Sequence, residues 1–178
     1  MYYKRVKSRA GYTLVELLVV IVISALLSSA MIVYSSKSRA LMTLMTEEAA
    51  VAQVLQRARS LAISTYNDPT PPCAVGVAIN YADNSYSLER VDSANCAISN
   101  MSSVAHTTLQ RFLLPPQVKF VNDGVKSVQY VMFVPPDPLF QPWISDIATT
   151  SVGLVTISSL DGAQQSSIRV SEFGQINF

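Results

Sequence analysis

Between Tyr12 and Asn67 the chain has neither proline nor glycine. Nothing in that stretch forces the backbone out of a helix, which excludes a turn-rich start. Acid is missing before Glu16, and charge of either sign is missing from Leu17 to Ser36. Histidine occurs once, as His106, and cysteine twice, as Cys73 and Cys96. These do not make a ligand cluster, so no metal and no cofactor are expected. The sequence lacks a phosphate-cradling glycine loop, a nucleophile elbow and an H-E-x-x-H pair, so no enzymatic activity is expected. Asp137, Asp146 and Asp161 fall in separate turns, too scattered for the grouped oxygen ligands of a calcium loop.

What is present begins with a short basic leader, Lys4, Arg5, Lys7 and Arg9, which ends at Gly11. One carboxylate, Glu16, follows inside the start of an apolar run rich in Leu, Val and Ile. From Leu17 to Ser36 that run is close to the ~20 residues a membrane-spanning helix needs. A secretory signal peptide has its cleavage site after the apolar stretch. Here the glycine precedes the stretch, so a cut after Gly11 leaves the apolar helix on the mature chain. The basic side is expected to stay cytoplasmic, with the rest exported. A carboxylate in such a segment is costly in lipid and calls for a partner.

The whole chain carries a net charge of +1, and removing the four leader cations leaves 1 − 4 = −3 for Tyr12 to Phe178. A slightly acidic exported part gives no electrostatic argument for nucleic acid, and no nucleic-acid partner is expected. The sparse cations Lys119, Lys126 and Arg169 read as solvated strand-face charges.

The organisation expected is a leader over 1–11, a membrane or filament-core helix over 12–36, an amphipathic continuation over 37–66 and a β-rich domain over 67–178. The helix should run from about Tyr12 to Ser64. Its second half repeats Leu41, Leu44, Val51, Leu55, Ala58 and Ala62 at helical spacing, with Glu48 interrupting the stripe. Ser24 with Ser28, and Ala25 with Ser29, are small pairs that permit close helix approach, or else serines bonded back to their own helix.

The segment Asn67-Asp68-Pro69-Thr70-Pro71-Pro72 ends the helix. Val75 to Tyr81 and Tyr86 to Leu88 alternate around the turn Asp83-Asn84 and predict a hairpin. Folding there brings Cys73 and Cys96 near each other at its open end. An exported pair can oxidise, so a disulfide is expected, the alternative being two buried thiols. Ser99 to Thr108 reads as irregular. Val118 to Val121 reads as a strand, with Asn122-Asp123-Gly124 a second hairpin turn leading to Ser127 through Val134. Pro135 to Trp143 is expected to be a surface loop, where Phe140 and Trp143 form a contact patch or pack inward. Gly153–Ser158, Ser167–Val170 and Gln175–Phe178 complete the strands, with turns at Asp161-Gly162 and Phe173-Gly174. The fold class is α+β, a long N-terminal helix packed on antiparallel β-structure.

The sequence Gly11-Tyr12-Thr13-Leu14-Val15-Glu16-Leu17-Leu18, behind its basic leader, resembles the type IV prepilin class. That resemblance implies cleavage after Gly11 by a membrane prepilin peptidase and N-methylation of Tyr12, which stands where phenylalanine is commoner. It implies assembly with other pilin or pseudopilin subunits out of the inner membrane, into a periplasmic or extracellular filament. Glu16 would then neutralise the new amine of a neighbouring subunit, the alternative being a carboxylate that snorkels at the membrane edge and stabilises its own helix N-terminus. The helix-bending proline usual in major pilins is missing. The β-rich part, ending in Ser167-Ile168-Arg169-Val170 and Phe173-Gly174-Gln175-Ile176, looks like the GspH/FimT group of minor pseudopilins and minor pilins. Some members bind DNA for uptake through basic C-terminal residues, which is the alternative reading. This chain has Gly174-Gln175 where the group often has Gly-Arg.

Overall fold

The computed structural model describes residues 12–92, 96, 100–101, 104–124, 127–135, 139–144, 147–148, 153–171 and 173–178; at 33, 36, 139–144 and 147–148 only the backbone is described. The chain divides into two compact units, Met1–Arg39 and Ala40–Phe178.

The helix α1 spans Leu14–Ser64. It starts at Thr13, whose side chain and that of Glu16 serve the first turn's free amides. At its far end a single 3-10 turn, Thr65–Asn67, intervenes before Pro69, Pro71 and Pro72, which lack the amide hydrogen that would continue it. In the first unit the described helix residues are almost all exposed, including Leu17, Leu18, Ile21 and Leu26. Ser28 Oγ donates to the Ser24 carbonyl at 2.8 Å and Ser29 Oγ to the Leu26 carbonyl at 2.8 Å. Each serine thus satisfies its hydroxyl within the helix, needing no water.

In the second unit the helix buries Leu44, Val51, Leu55, Ala58 and Ala62 in one stripe. Ten strands follow: β1 (Ala74–Asn80), β2 (Ser85–Val91), β3 (His106–Leu113), β4 (Val118–Val121), β5 (Tyr130–Val134), β6 (Leu139–Ile144), β7 (Ile147–Ala148), β8 (Gly153–Ser159), β9 (Gln165–Val170) and β10 (Ile176–Asn177). They form two antiparallel sheets, ordered β3-β2-β1-β5-β6-β7 and β10-β9-β8-β4. The helix stripe shares one core with Val75, Val77 and Ile79 of β1, Tyr86 and Leu88 of β2, Val131 and Phe133 of β5, and Phe120, Val155, Ile157, Ile168 and Val170 of the second sheet. Successive strand residues face opposite sides, so only every second one reaches this core. Tyr86 stacks on Phe112 with centroids 4.9 Å apart and meets Phe120 edge-on at 6.0 Å.

The β1–β2 hairpin closes at Asn80↔Ser85 and opens at Ala74↔Val91. Asn84 occupies a left-handed conformation, φ 48°, which asparagine tolerates better than most residues. Its carbonyl accepts from Leu114 N–H at 3.0 Å and its side-chain oxygen from Phe120 N–H at 3.1 Å. One turn residue therefore ties the first sheet to β4 of the second.

Three expectations are corrected. The irregular stretch Ser99 to Thr108 ends early, because His106 already opens β3. That strand lies at the sheet edge with almost every residue exposed, so burial imposes no alternation on its sequence. Asn122-Asp123-Gly124 is a turn, with Gly124 at φ 70°, but it closes no hairpin. β4 pairs with β8 while β5 pairs with β1 and β6, so the chain changes sheets there. Asp123 holds the corner, its carboxylate accepting from Ser127 N–H and Oγ at 2.9 Å each. Finally, Leu139–Ile144 is a strand, not a loop. Among the described residues Pro142 is paired with Val131 of β5 alone, β7 pairing with Trp143 and Ile144, and proline is tolerated where a strand has no second neighbour.

Candidate processing and assembly site

The junction read in the sequence is described from Tyr12 onward; Gly11 lies outside the described residues. Tyr12 is 85% exposed. Thr13 and Glu16, three residues apart, form a reciprocal cap. Thr13 N–H donates to Glu16 Oε2 at 3.2 Å and Thr13 Oγ1–H donates to the same oxygen at 3.3 Å. Glu16 N–H donates to Thr13 Oγ1 at 3.3 Å. This is the Thr-x-x-Glu capping arrangement, which satisfies helix N-terminal amides that have no partner within the helix. The carboxylate also complements the positive end of the helix dipole.

The geometry spends only Oε2 of Glu16 on the cap. Oε1 makes none of these bonds, so the same carboxylate can hold its own helix start and accept from a second donor. Glu16 lies near the start of the one span among the described residues, Leu14–Asn67, that is long and apolar enough to cross a membrane. Charge alone does not single out Thr13; its three-residue spacing to Glu16 carries the capping signal.

Cys73 and Cys96 form a disulfide, with Cα atoms 5.0 Å apart. Cys73 lies just before β1, and its N–H donates to the carbonyl of Val91 at the end of β2. The hairpin thus carries the bond at its open end, on the sheet face opposite the helix, beside Ala74, Val91, Met101 and Met132.

The other sequence candidates do not converge. Lys119 pairs with Ser158 and Arg169 with Leu154, on opposite sides of β8 and roughly 13 Å apart along it. Lys126, Asp137 and Asp146 lie outside the described residues, as do the side chains of Phe140 and Trp143. Asp161 serves its own turn, accepting from Ala163 N–H at 3.0 Å and from Ser159 Oγ. His106 lies on β3, Nδ1–H donating to the Val104 carbonyl at 3.0 Å. Among the described residues no three His, Cys, Asp or Glu side chains group as metal ligands.

Residues 6–32 match the prokaryotic N-terminal methylation motif, a match that spans Gly11, Tyr12 and Glu16. The chain is also similar to a solved structure, the minor pseudopilin EpsH from the type 2 secretion system of Vibrio cholerae. That match has a TM-score of 0.43 and 14% identity, and covers 76% of this chain and 94% of that one. No curated protein matches the sequence.

Proposed function

We propose that this chain is a minor pilin or pseudopilin, a structural subunit of a type IV pilus or a type II secretion pseudopilus. In this reading prepilin peptidase cuts after Gly11 and methylates the new amine of Tyr12. The chain waits as a single-pass inner-membrane protein with residues 67–178 exported. It then joins a filament through α1. The membrane or filament-core part is taken as 12–36.

The observation that carries the reading is the Thr13–Glu16 cap at the head of an exposed apolar helix. An ionised carboxylate near lipid needs donors, and the cap supplies two from Thr13. In the filament the amine of a neighbour's Tyr12 would bond the remaining oxygen. Only one axial register brings that amine beside Glu16, so the charge pair would select how far a subunit slides in. A misplaced subunit would leave both charges unpaired in a low-dielectric setting, which is strongly unfavourable.

Intact-mass analysis of the chain purified from its native membrane tests the processing step. The expected mature protein starts at N-methylated Tyr12. A mass that includes Met1 to Gly11 would contradict it.

A further inference from the structure

The face of the first sheet turned away from α1 carries a groove of about 600 Å³, bounded by Ala78, Ser87, Glu89, Thr108, Arg111 and Tyr130 among others. Small side chains on β1 and β2 make its floor. Glu89, opposite Gly76 on β1 and Thr108 on β3, lines one end. The register of β3 slips beside it: Leu88 faces Gln110 but Glu89 faces Thr108, so Leu109 is an extra residue. Such a bulge re-aims the side chains around it.

Glu89 is only 6% exposed. Its Oε1 accepts from Ser87 Oγ at 2.8 Å, while Oε2 has no hydrogen-bond partner among the described residues. The nearest nitrogen is Nε2 of His106 at 4.0 Å. Because the Nδ1–H of that ring already serves the Val104 carbonyl, a neutral His106 turns a lone pair, not a proton, toward the carboxylate. With the ring neutral two acceptors face each other, and a buried carboxylate oxygen is left wanting a donor. At the groove's other end Arg111 pairs with Asp83 at 3.1 Å, so these charges offset one another. With His106 neutral, the uncompensated charge among the described lining residues is that of Glu89.

We infer that this groove binds an alkylammonium group, as presented by a lysine side chain of a protein partner. A guanidinium would seek both carboxylate oxygens at once, and Ser87 already holds one of them. An ammonium is a compact charge with three donors. One can meet Oε2, and the hydroxyl oxygens of Ser87 and Thr108 on the same groove can take others. The entering cation displaces the His106 ring, whose side chain is 34% exposed, at the cost of its Nδ1–H bond to the Val104 carbonyl, which water can replace.

The test uses the full disulfide-bonded chain in detergent micelles at pH 8, titrated with n-butylammonium, n-butylguanidinium and 1-pentanol while amide NMR shifts are followed. Saturable shifts at Glu89 and Thr108 are expected with butylammonium, weaker ones with butylguanidinium and none with pentanol. Glu89→Gln should weaken butylammonium binding about tenfold or more, as loss of a charged hydrogen bond does. Arg111→Gln should strengthen it roughly twofold to fivefold, because a nearby like charge is removed. This opposite sign separates recognition from a general loosening of the sheet. Equal shifts with pentanol, tighter binding of butylguanidinium, or unchanged binding by both variants would overturn the inference.

Discussion

At the scale of single residues, two tyrosines report how tightly the two sheets close. Tyr81 donates its hydroxyl to the Val128 carbonyl at 2.8 Å. Burial raises its pKa from 10.0 to about 12, opposed by a hydrogen bond from Ser127 and helped by the charge of Asp123. Tyr86 rises to about 12 as well, first through burial and then through the charge of Glu47. In the unfolded chain both ionise near the ordinary 10.0, so the folded state holds their protons longer. The stability they contribute is complete below pH 10 and is lost as pH rises from there through 12. Ultraviolet difference titration should therefore show two late tyrosines and unfolding that sets in over that window. Gly76 is the second residue with a sharp requirement. A Cβ there would strike the Val131 carbonyl oxygen and the Met132 sulfur, and lie 2.8 Å from the Met132 Cα. Gly76→Ala should cost about 3 kcal/mol of stability in urea denaturation, since β5 would have to move. The sequence gives no warning of this. A glycine between Val75 and Val77 looks like a weak point in a strand, and only the approach of β5 explains it. Glu89 is similar, for alternation alone puts it on the solvent face.

At the scale of elements, what could be read depended on which forces acted along the chain. The helix was legible because its determinants are local: no Gly or Pro inside, apolar residues at helical spacing and a proline-rich stop. The β1–β2 hairpin was legible too, its turn residues and its alternation agreeing. The strands β3 and β6 were not. β3 is an exposed edge, and β6 contains Pro142, so in each case pairing with a neighbour overrides what the residues suggest. The step from β4 to β5 failed for a related reason. Asn122-Asp123-Gly124 specifies a turn, but nothing local says whether the next strand returns to its own sheet. The disulfide is an element-level constraint of measurable size. It closes a loop with a sequence separation of 23. Replacing both Cys73 and Cys96 by alanine should lower stability by about 3 kcal/mol, mainly by freeing the unfolded chain. Urea titration of the double variant, with the same midpoint as the reduced parent, checks it.

At the scale of the molecule, the chain has two units with different solvents in view. Residues of the second bury a core between helix and sheets, whereas those of the first leave Leu, Val and Ile exposed along the helix. A large exposed apolar surface signals a missing environment, which in the proposed function is lipid before assembly and neighbouring helices after it. The candidate site follows from the same division. Glu16 was visible as the lone charge entering the apolar run. Its bond to Thr13 was not drawn from charge, because the cap is a hydrogen-bonding feature and the pair looks unremarkable on a charge map. The proposed role of Glu16 asks for a donor on another subunit, and that step lives at the level of the filament. The most direct measurement is the amount of Glu16→Ala chain recovered in sheared filaments, compared with the parent chain made at the same level. Mass analysis of the membrane fraction first establishes that the variant is still cut after Gly11. The account predicts that incorporation falls by about tenfold or more while cleavage is unchanged, because a buried amine loses its counter-charge. Filaments that take up Glu16→Ala as readily as the parent chain would contradict it.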